Sequence, residues 1–153
     1  MSVLTVETHV AAPQERVFDV YTQVDRLAER IPTITAVEVL TDGPVGDGTR
    51  WRETRVVMKK EATEEMWVTG FEPPHRYNVE AESNGMKYST LMSFTPERDG
   101  TTVRWEFTST PQSFGARLLS GVFSVLLKGT MRKHMLGDLE ALRAVAENGE
   151  ASS

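Results

Sequence analysis

The feature that most constrains the fold is a long region of alternating sequence in the middle of the chain. From about Thr35 to Thr110, stretches in which apolar and polar residues alternate are separated by short turn sequences such as DGPVGDG, NG and PERDGT. Alternation with a period of two is typical of strands with one buried face, and Asn-Gly between two such stretches is a strong hairpin signal. Because successive strands are one tight turn apart, the region predicts a six-stranded antiparallel meander.

The segments on either side of the meander predict a strand and helices. VLTVETHV alternates and predicts a strand, and the sequences AAPQERVFDVYTQ and QVDRLAERIP that follow it predict two short helices. After the meander, the chain has a helical pattern from about Phe114 to Glu147. The expected fold class is therefore α+β, with residues 1–147 as a single domain and residues 148–153 as a disordered tail.

The C-terminal helical stretch carries two apolar faces that do not line up. In its first half the apolar face consists of Leu118, Leu119, Val122, Val125 and Leu126. In its second half the apolar face consists of Met131, Met135, Leu139, Leu142 and Val145. One straight helix does not bury both faces against one sheet. We expect either a break near KGT at 128–130, where interior glycine is costly, or a first half that is covered from another side as a lid.

Composition and charge exclude several classes of function. The chain has 153 residues, a net charge of −5 and no cysteine. A mildly acidic protein is a poor partner for nucleic acid, and the lack of cysteine excludes disulfides and thiolate metal sites. Three scattered histidines make a metal site improbable, and no phosphate-binding loop, dinucleotide motif or nucleophile elbow is present. We expect no metal and no cofactor.

The N-terminal sequence and the lengths of the apolar runs predict a soluble cytoplasmic protein. No basic segment followed by an apolar stretch occurs near Met1, so no signal peptide is expected. The longest nearly uncharged run, Leu118 to Leu127, is too short to cross a bilayer, so no integral membrane association is expected.

Five motifs, in order along the chain, resemble those of one superfamily. They are VAAPQERVFDVYTQVDRLAERIP, GDGTRWRE, GFEPPHRY, DGTTVRW and LGDLEALRAVAE. The chain resembles the START-like (SRPBCC) superfamily, which includes START domains, proteins similar to the birch-pollen allergen and bacterial polyketide cyclases. The resemblance implies a helix-grip fold, in which a curved sheet wraps the long helix and leaves a cavity. Members bind lipids, sterols or polyketides there, and some catalyse cyclisation or dehydration.

Candidate lining residues for such a cavity come from the parity of the predicted strands. Aromatic and methionine side chains on the inward faces suit an apolar pocket, although ordinary core packing is the alternative for each of them. These side chains are Trp51, Tyr77, Tyr88, Met92, Trp105 and Phe107. From the C-terminal helix we add Leu118 and Val122.

Two charged residues share the inward parity of Trp51. Glu53 and Arg55 are either a mutually satisfied pair at the cavity, where they orient the polar end of a ligand or act as acid or base, or part of a strand end that splays into solvent. Both alternatives are open at this point.

Three functions are compatible with the sequence. The first is binding or transport of an apolar small molecule in the internal cavity. The second is a cyclase- or dehydratase-like enzyme that uses Glu53, Arg55 or a tyrosine of the cavity. The third is a ligand-free interaction module that docks through the run from Leu118 to Leu127. In each case we expect a monomer or a homodimer.

Overall fold

The strands and helices of the chain follow the predicted order. The computed structural model describes the backbone of residues 2–57, 59–83, 85–112 and 114–148, and the side chains of these residues except at positions 2, 57 and 114–128. Before the meander lie β1 (Ser2–Val10), α1 (Gln14–Thr22), a 3₁₀ turn (Val24–Arg26) and α2 (Leu27–Arg30). The meander and final helix are β2 (Ile34–Val39), β3 (Arg50–Val57), β4 (Lys60–Glu72), β5 (Arg76–Ser83), β6 (Met86–Glu97), β7 (Gly100–Pro111) and α3 (Phe114–Asn148).

Within the described residues, the strands form one seven-stranded sheet in the order β1-β7-β6-β5-β4-β3-β2. Every neighbouring pair is antiparallel. Strands β2 to β7 are the predicted six-stranded meander, and β1 joins it by pairing with β7, with Val6 opposite Trp105. The α+β helix-grip arrangement predicted from the sequence is therefore confirmed.

The pairing of β4 with β5 is irregular at one point. The register between these strands shifts between Thr69 and Glu72, as it does at a β-bulge. Gly70 lies in this shift with φ +57°, and a Cβ atom there would approach Asn78 Nδ2 to 2.8 Å. Bulges increase the local twist and bend of a strand, so this irregularity helps the long β4 curve around the core.

An aromatic cluster anchors α1 to one end of the sheet. The ring of Phe18 lies 5.5 Å from Phe71, 5.6 Å from Tyr77 and 5.1 Å from Phe94, measured between centroids. Phe71 and Tyr77 lie on either side of the turn in GFEPPHRY, and His75 in that turn is exposed. Tilted and edge-on aromatic contacts of this kind stabilise beyond their buried area.

Helix α3 packs its C-terminal half against β1 and α1. Met135, Leu139, Leu142 and Ala146 are buried in the hydrophobic core. The helix runs without interruption from Phe114 to Asn148. The alternative of two separate helices is therefore wrong. The side chains of Leu118 and Val122, and with them the predicted lid face, lie outside the described residues.

Among the described residues, no helix combines the length and the apolar composition needed to span a bilayer.

Candidate functional site

A pocket of about 420 Å³ lies between the concave face of the sheet, the short helices and α3. Cross-strand neighbours build its floor in rows, because residues directly opposite each other in a sheet point to the same face. One row contains Tyr77, Met92 and Trp105, and another contains Val79, Thr90 and Phe107. The other apolar lining residues are Val24, Leu27, Ile31, Ile34, Trp51, Ala62, Met66, Ala81, Met131, Met135 and Leu142.

The structure brings together the sequence-predicted site residues whose side chains it describes. All eight line this pocket: Trp51, Glu53, Arg55, Tyr77, Tyr88, Met92, Trp105 and Phe107. Three of them, Trp51, Tyr77 and Trp105, are also members of the buried core. These side chains are therefore both part of the pocket wall and part of the core, so the two alternatives do not exclude each other. That they contact a ligand stays a prediction.

Arg55 forms the centre of a charged group on the pocket wall. Its Nη1 atom lies 2.9 Å from Asp138 Oδ2, and its Nη2 atom lies 3.3 Å from Glu53 Oε2. Glu53 is only 6% exposed and also accepts a hydrogen bond from Trp51 Nε1 at 3.4 Å. The alternative in which this strand end splays into solvent is therefore wrong: the charges face inward and satisfy one another.

The pKa values in this group reflect burial and pairing together. Burial, with a further contribution from the charge of Glu53, raises the pKa of Asp138 against the opposing effect of the Arg55 guanidinium. Burial lowers the pKa of Arg55, but Asp138 and Glu53 outweigh it, so the pKa is raised overall and the guanidinium stays charged. The result is a partly buried ion pair that ties β3 to α3.

Asp138 is a candidate site residue that the sequence analysis did not predict. It lies three residues after Met135 and four before Leu142, which places it on the apolar face of α3. An aspartate at such a position needs a cation because buried charges are normally paired. The interruption of the apolar face was the signal that could have identified it.

Glu64 is a second missed residue. It lies directly opposite Glu53 on β4 and lines the pocket. The alternation along β4 gives Glu64 the same parity as Met66 and Val68, and this is the signal that could have placed it on the inward face. Burial and then the charge of Glu53 raise the pKa of Glu64, with Arg55 opposing them.

The tyrosines of the pocket differ in what their hydroxyls do. Tyr77 donates to the carbonyl of Tyr21 at 3.0 Å, and Tyr21 donates to the carbonyl of Leu139 at 2.9 Å. Burial raises the pKa of both hydroxyls far above neutrality. They act as structural donors that join β5, α1 and α3. Tyr88 stacks on Phe107 at 5.7 Å, and burial, followed by the charge of Glu64, raises its pKa.

The described part of the chain contains no group of three histidine, aspartate or glutamate side chains arranged to hold a metal ion. His134 lines the pocket near Asp138, which adds one more titratable group to this wall.

Replacing Glu64 with glutamine should stabilise the protein at neutral pH. When folding raises the pKa of a carboxyl, its ionisation lowers the free energy of unfolding as the pH rises. Below the pKa of the unfolded state the carboxyl is protonated in both states and has no such effect. Glu64→Gln should therefore increase the free energy of unfolding by about 1 kcal/mol at pH 7, the low end of the cost of an unsatisfied polar group. Urea unfolding should show the same stability for both proteins near about pH 4. An increase in the free energy of unfolding that does not change with pH would contradict the raised pKa of Glu64.

Comparison with known proteins identifies similar sequences and folds. The chain matches the sequence model of the family described as polyketide cyclase / dehydrase and lipid transport over residues 1–147. Similar solved structures include TTHA0849 from Thermus thermophilus, with a TM-score of 0.77, 21% identity, and coverage of 98% of this chain and 100% of that one. The Zhui aromatase/cyclase from a Streptomyces species has a TM-score of 0.78, 16% identity, and coverage of 95% and 93%.

A START superfamily protein from Mycobacterium smegmatis has a TM-score of 0.74, 15% identity, and coverage of 95% of this chain and 97% of that one. At these identities the structural similarity concerns the fold. No curated protein sequence matches the chain.

Proposed function

Because this chain belongs to the family of polyketide cyclases / dehydrases and lipid-transport proteins, we propose that it binds or transports a hydrophobic small molecule between its sheet and α3. The observation that carries the proposal is the pocket itself. Its volume of about 420 Å³ lies within the range of roughly 300–1,000 Å³ that is usual for small-molecule sites. Its walls are mainly apolar, with a few polar groups gathered near Arg55, as in sites where apolar contacts supply affinity and polar contacts fix orientation.

Filling the pocket should abolish binding of an apolar probe. Val79 lies on the central strand β5 and lines the pocket, so Val79→Trp places an indole inside it. We expect the variant to bind N-phenyl-1-naphthylamine, whose fluorescence rises in apolar surroundings, at least about tenfold more weakly than the unchanged protein.

Val39→Trp is the matched control, because Val39 is 40% exposed and lies outside the pocket lining. It should bind the probe like the unchanged protein, and cooperative thermal unfolding of both variants shows that they fold. Equal probe binding by Val79→Trp would mean that the probe, and the proposed ligand, sit elsewhere.

An enzyme of the cyclase or dehydratase type is a second candidate, and Glu64 is the observation that favours it. A carboxyl with a raised pKa beside a second carboxylate suits general acid–base chemistry. The hydroxyls of Tyr21 and Tyr77 are poorer candidates, because backbone carbonyls already engage them. Turnover of a poly-β-ketone substrate that Glu64→Gln abolishes and Glu65→Gln preserves would favour this candidate.

The third candidate, a ligand-free interaction module, rests on the run from Leu118 to Leu127, whose side chains lie outside the described residues.

A further inference from the structure

The polar groups that line the pocket form two sets, according to whether they already make hydrogen bonds or ion pairs within the protein. The first set is engaged internally. Tyr21 and Tyr77 donate to backbone carbonyls, and Arg55 joins Glu53 to Asp138. A ligand that hydrogen-bonds to this set has to displace existing contacts, so the set supports the wall of the pocket.

The second set has unused hydrogen-bonding capacity. Glu64, Tyr88, Thr90 and His134 line the pocket and are half-buried, and their side chains make no hydrogen bond or ion pair within the described part of the chain. The indole nitrogen of Trp105, another lining residue that is only 7% exposed, is a buried donor without an acceptor among the described residues. Most buried polar groups find partners, so the buried indole N–H, together with half-buried groups that can still form hydrogen bonds, points to a ligand with polar atoms of its own.

The charge of the pocket indicates which polar group a ligand should carry. Among the described lining residues there are three carboxylates, at Glu53, Glu64 and Asp138, and one arginine, at Arg55. With the three carboxyls ionised, these four described groups carry a net charge of −2, from one positive and three negative groups. Arg55 contacts Glu53 and Asp138, whereas no cationic side chain of the described residues contacts Glu64. A second anion would be repelled here, and a cation would be attracted.

We propose that the pocket selects an apolar ligand that carries a protonated primary amine, with the ammonium group at Glu64 and Tyr88. The inference rests on the proposed binding function and specifies the class of ligand. An ammonium group has three N–H donors and no acceptor. The Glu64 carboxylate and the Tyr88 hydroxyl oxygen accept such donors. Both groups line the same pocket, and the sheet register places them on the same face: Tyr88 lies opposite Ala81, and Ala81 lies opposite Met66, two residues along β4 from Glu64. The alkyl or aromatic body of the ligand then lies over the row of Val79, Thr90 and Phe107.

Three ligands with the same chain and different head groups test the proposal. Dodecylamine, dodecanol and dodecanoate are titrated, below the concentrations at which they form micelles, against protein loaded with N-phenyl-1-naphthylamine. We expect the amine to displace the probe about tenfold more effectively than the alcohol, and the carboxylate least effectively, because a charge-assisted hydrogen bond adds to the same apolar contacts.

Glu64→Gln keeps the shape of the side chain and removes its charge. In this variant the preference for the amine over the alcohol should disappear, because the charge that attracts the ammonium group is gone. Glu65→Gln is the matched control: Glu65 is the next residue, points to the other face and pairs with Arg50, so the preference should persist.

Each outcome decides between the two proposals. If dodecanoate binds as well as the amine, or if Glu64→Gln leaves the preference intact, the amine proposal is overturned, while displacement by dodecanol still supports an apolar binding site. If none of the three ligands displaces the probe, the amine proposal fails, and the binding function is decided separately by whether Val79→Trp loses the probe.

Discussion

Arg55→Met should lower the free energy of unfolding by about 3 kcal/mol at pH 7, which is the lower end of the range for breaking a buried ion pair by removing one partner. Arg55 is 22% exposed at its side chain and contacts two carboxylates, Glu53 and Asp138. Methionine keeps much of the apolar stem but leaves both carboxylates without a cation. Urea unfolding at several pH values measures the loss, which should shrink in acid because protonation of Asp138 removes a buried charge.

Arg52→Met is the control for this prediction. Arg52 lies on the same strand three positions earlier, pairs with Glu38 on the surface, and is about half exposed. Exposed pairs contribute between about 0 and 1 kcal/mol, so this change should have little effect. Similar losses for the two variants would show that the inward position of Arg55 has no special importance.

Leu139→Ala should cost about 2–5 kcal/mol, the usual cost when a large buried side chain is cut back to alanine. Leu139 is fully buried at 0% exposure, and its backbone carbonyl accepts the hydrogen bond from Tyr21. The substitution leaves a cavity between α3 and the sheet while the backbone contact remains. The loss is measured as the change in the urea midpoint at constant m-value.

Leu136→Ala provides the comparison on the same helix. Leu136 is 37% exposed, so Leu136→Ala removes the same atoms as Leu139→Ala but from a site in contact with water. We expect a change within about 0.5 kcal/mol, as for most surface substitutions. If both variants lose the same stability, the buried face of α3 has been assigned incorrectly.

Most of the fold could be predicted because the local signals agree with one another. The period of two fixed the inward side of each strand, and the turn sequences set the boundaries, so the positions of Trp51, Tyr88 and Trp105 followed from parity alone. The helix was harder. Its two apolar faces suggested a break at Gly129, but the helical backbone continues through that position. A glycine costs a helix only about 1 kcal/mol, which packing elsewhere along the helix easily offsets.

The polar part of the site was harder to predict from the sequence, for a physical reason. Parity placed Glu53 and Arg55 on the inward face, but burial of charge depends on a partner that is distant in sequence. That partner, Asp138, is 83 positions from Arg55 along the chain. No local pattern joins a strand residue to a helix residue over such a separation. Glu64 was different: its parity with Met66 was available in the sequence.

The contacts that hold α3 in place are unevenly distributed around the helix. On the side of β1 and α1, Arg16 donates to the carbonyl of Ala146, Arg132 to that of Thr5, and Glu147 accepts from the amide of Ala11. On the side of β3, the polar contact within the described residues is the one between Arg55 and Asp138.

Among the described polar contacts, α3 is therefore held more firmly beside β1 than beside β3. A mechanical load that pulls α3 away from the sheet should open the β3 margin first, which is the side on which the charged wall of the pocket lies.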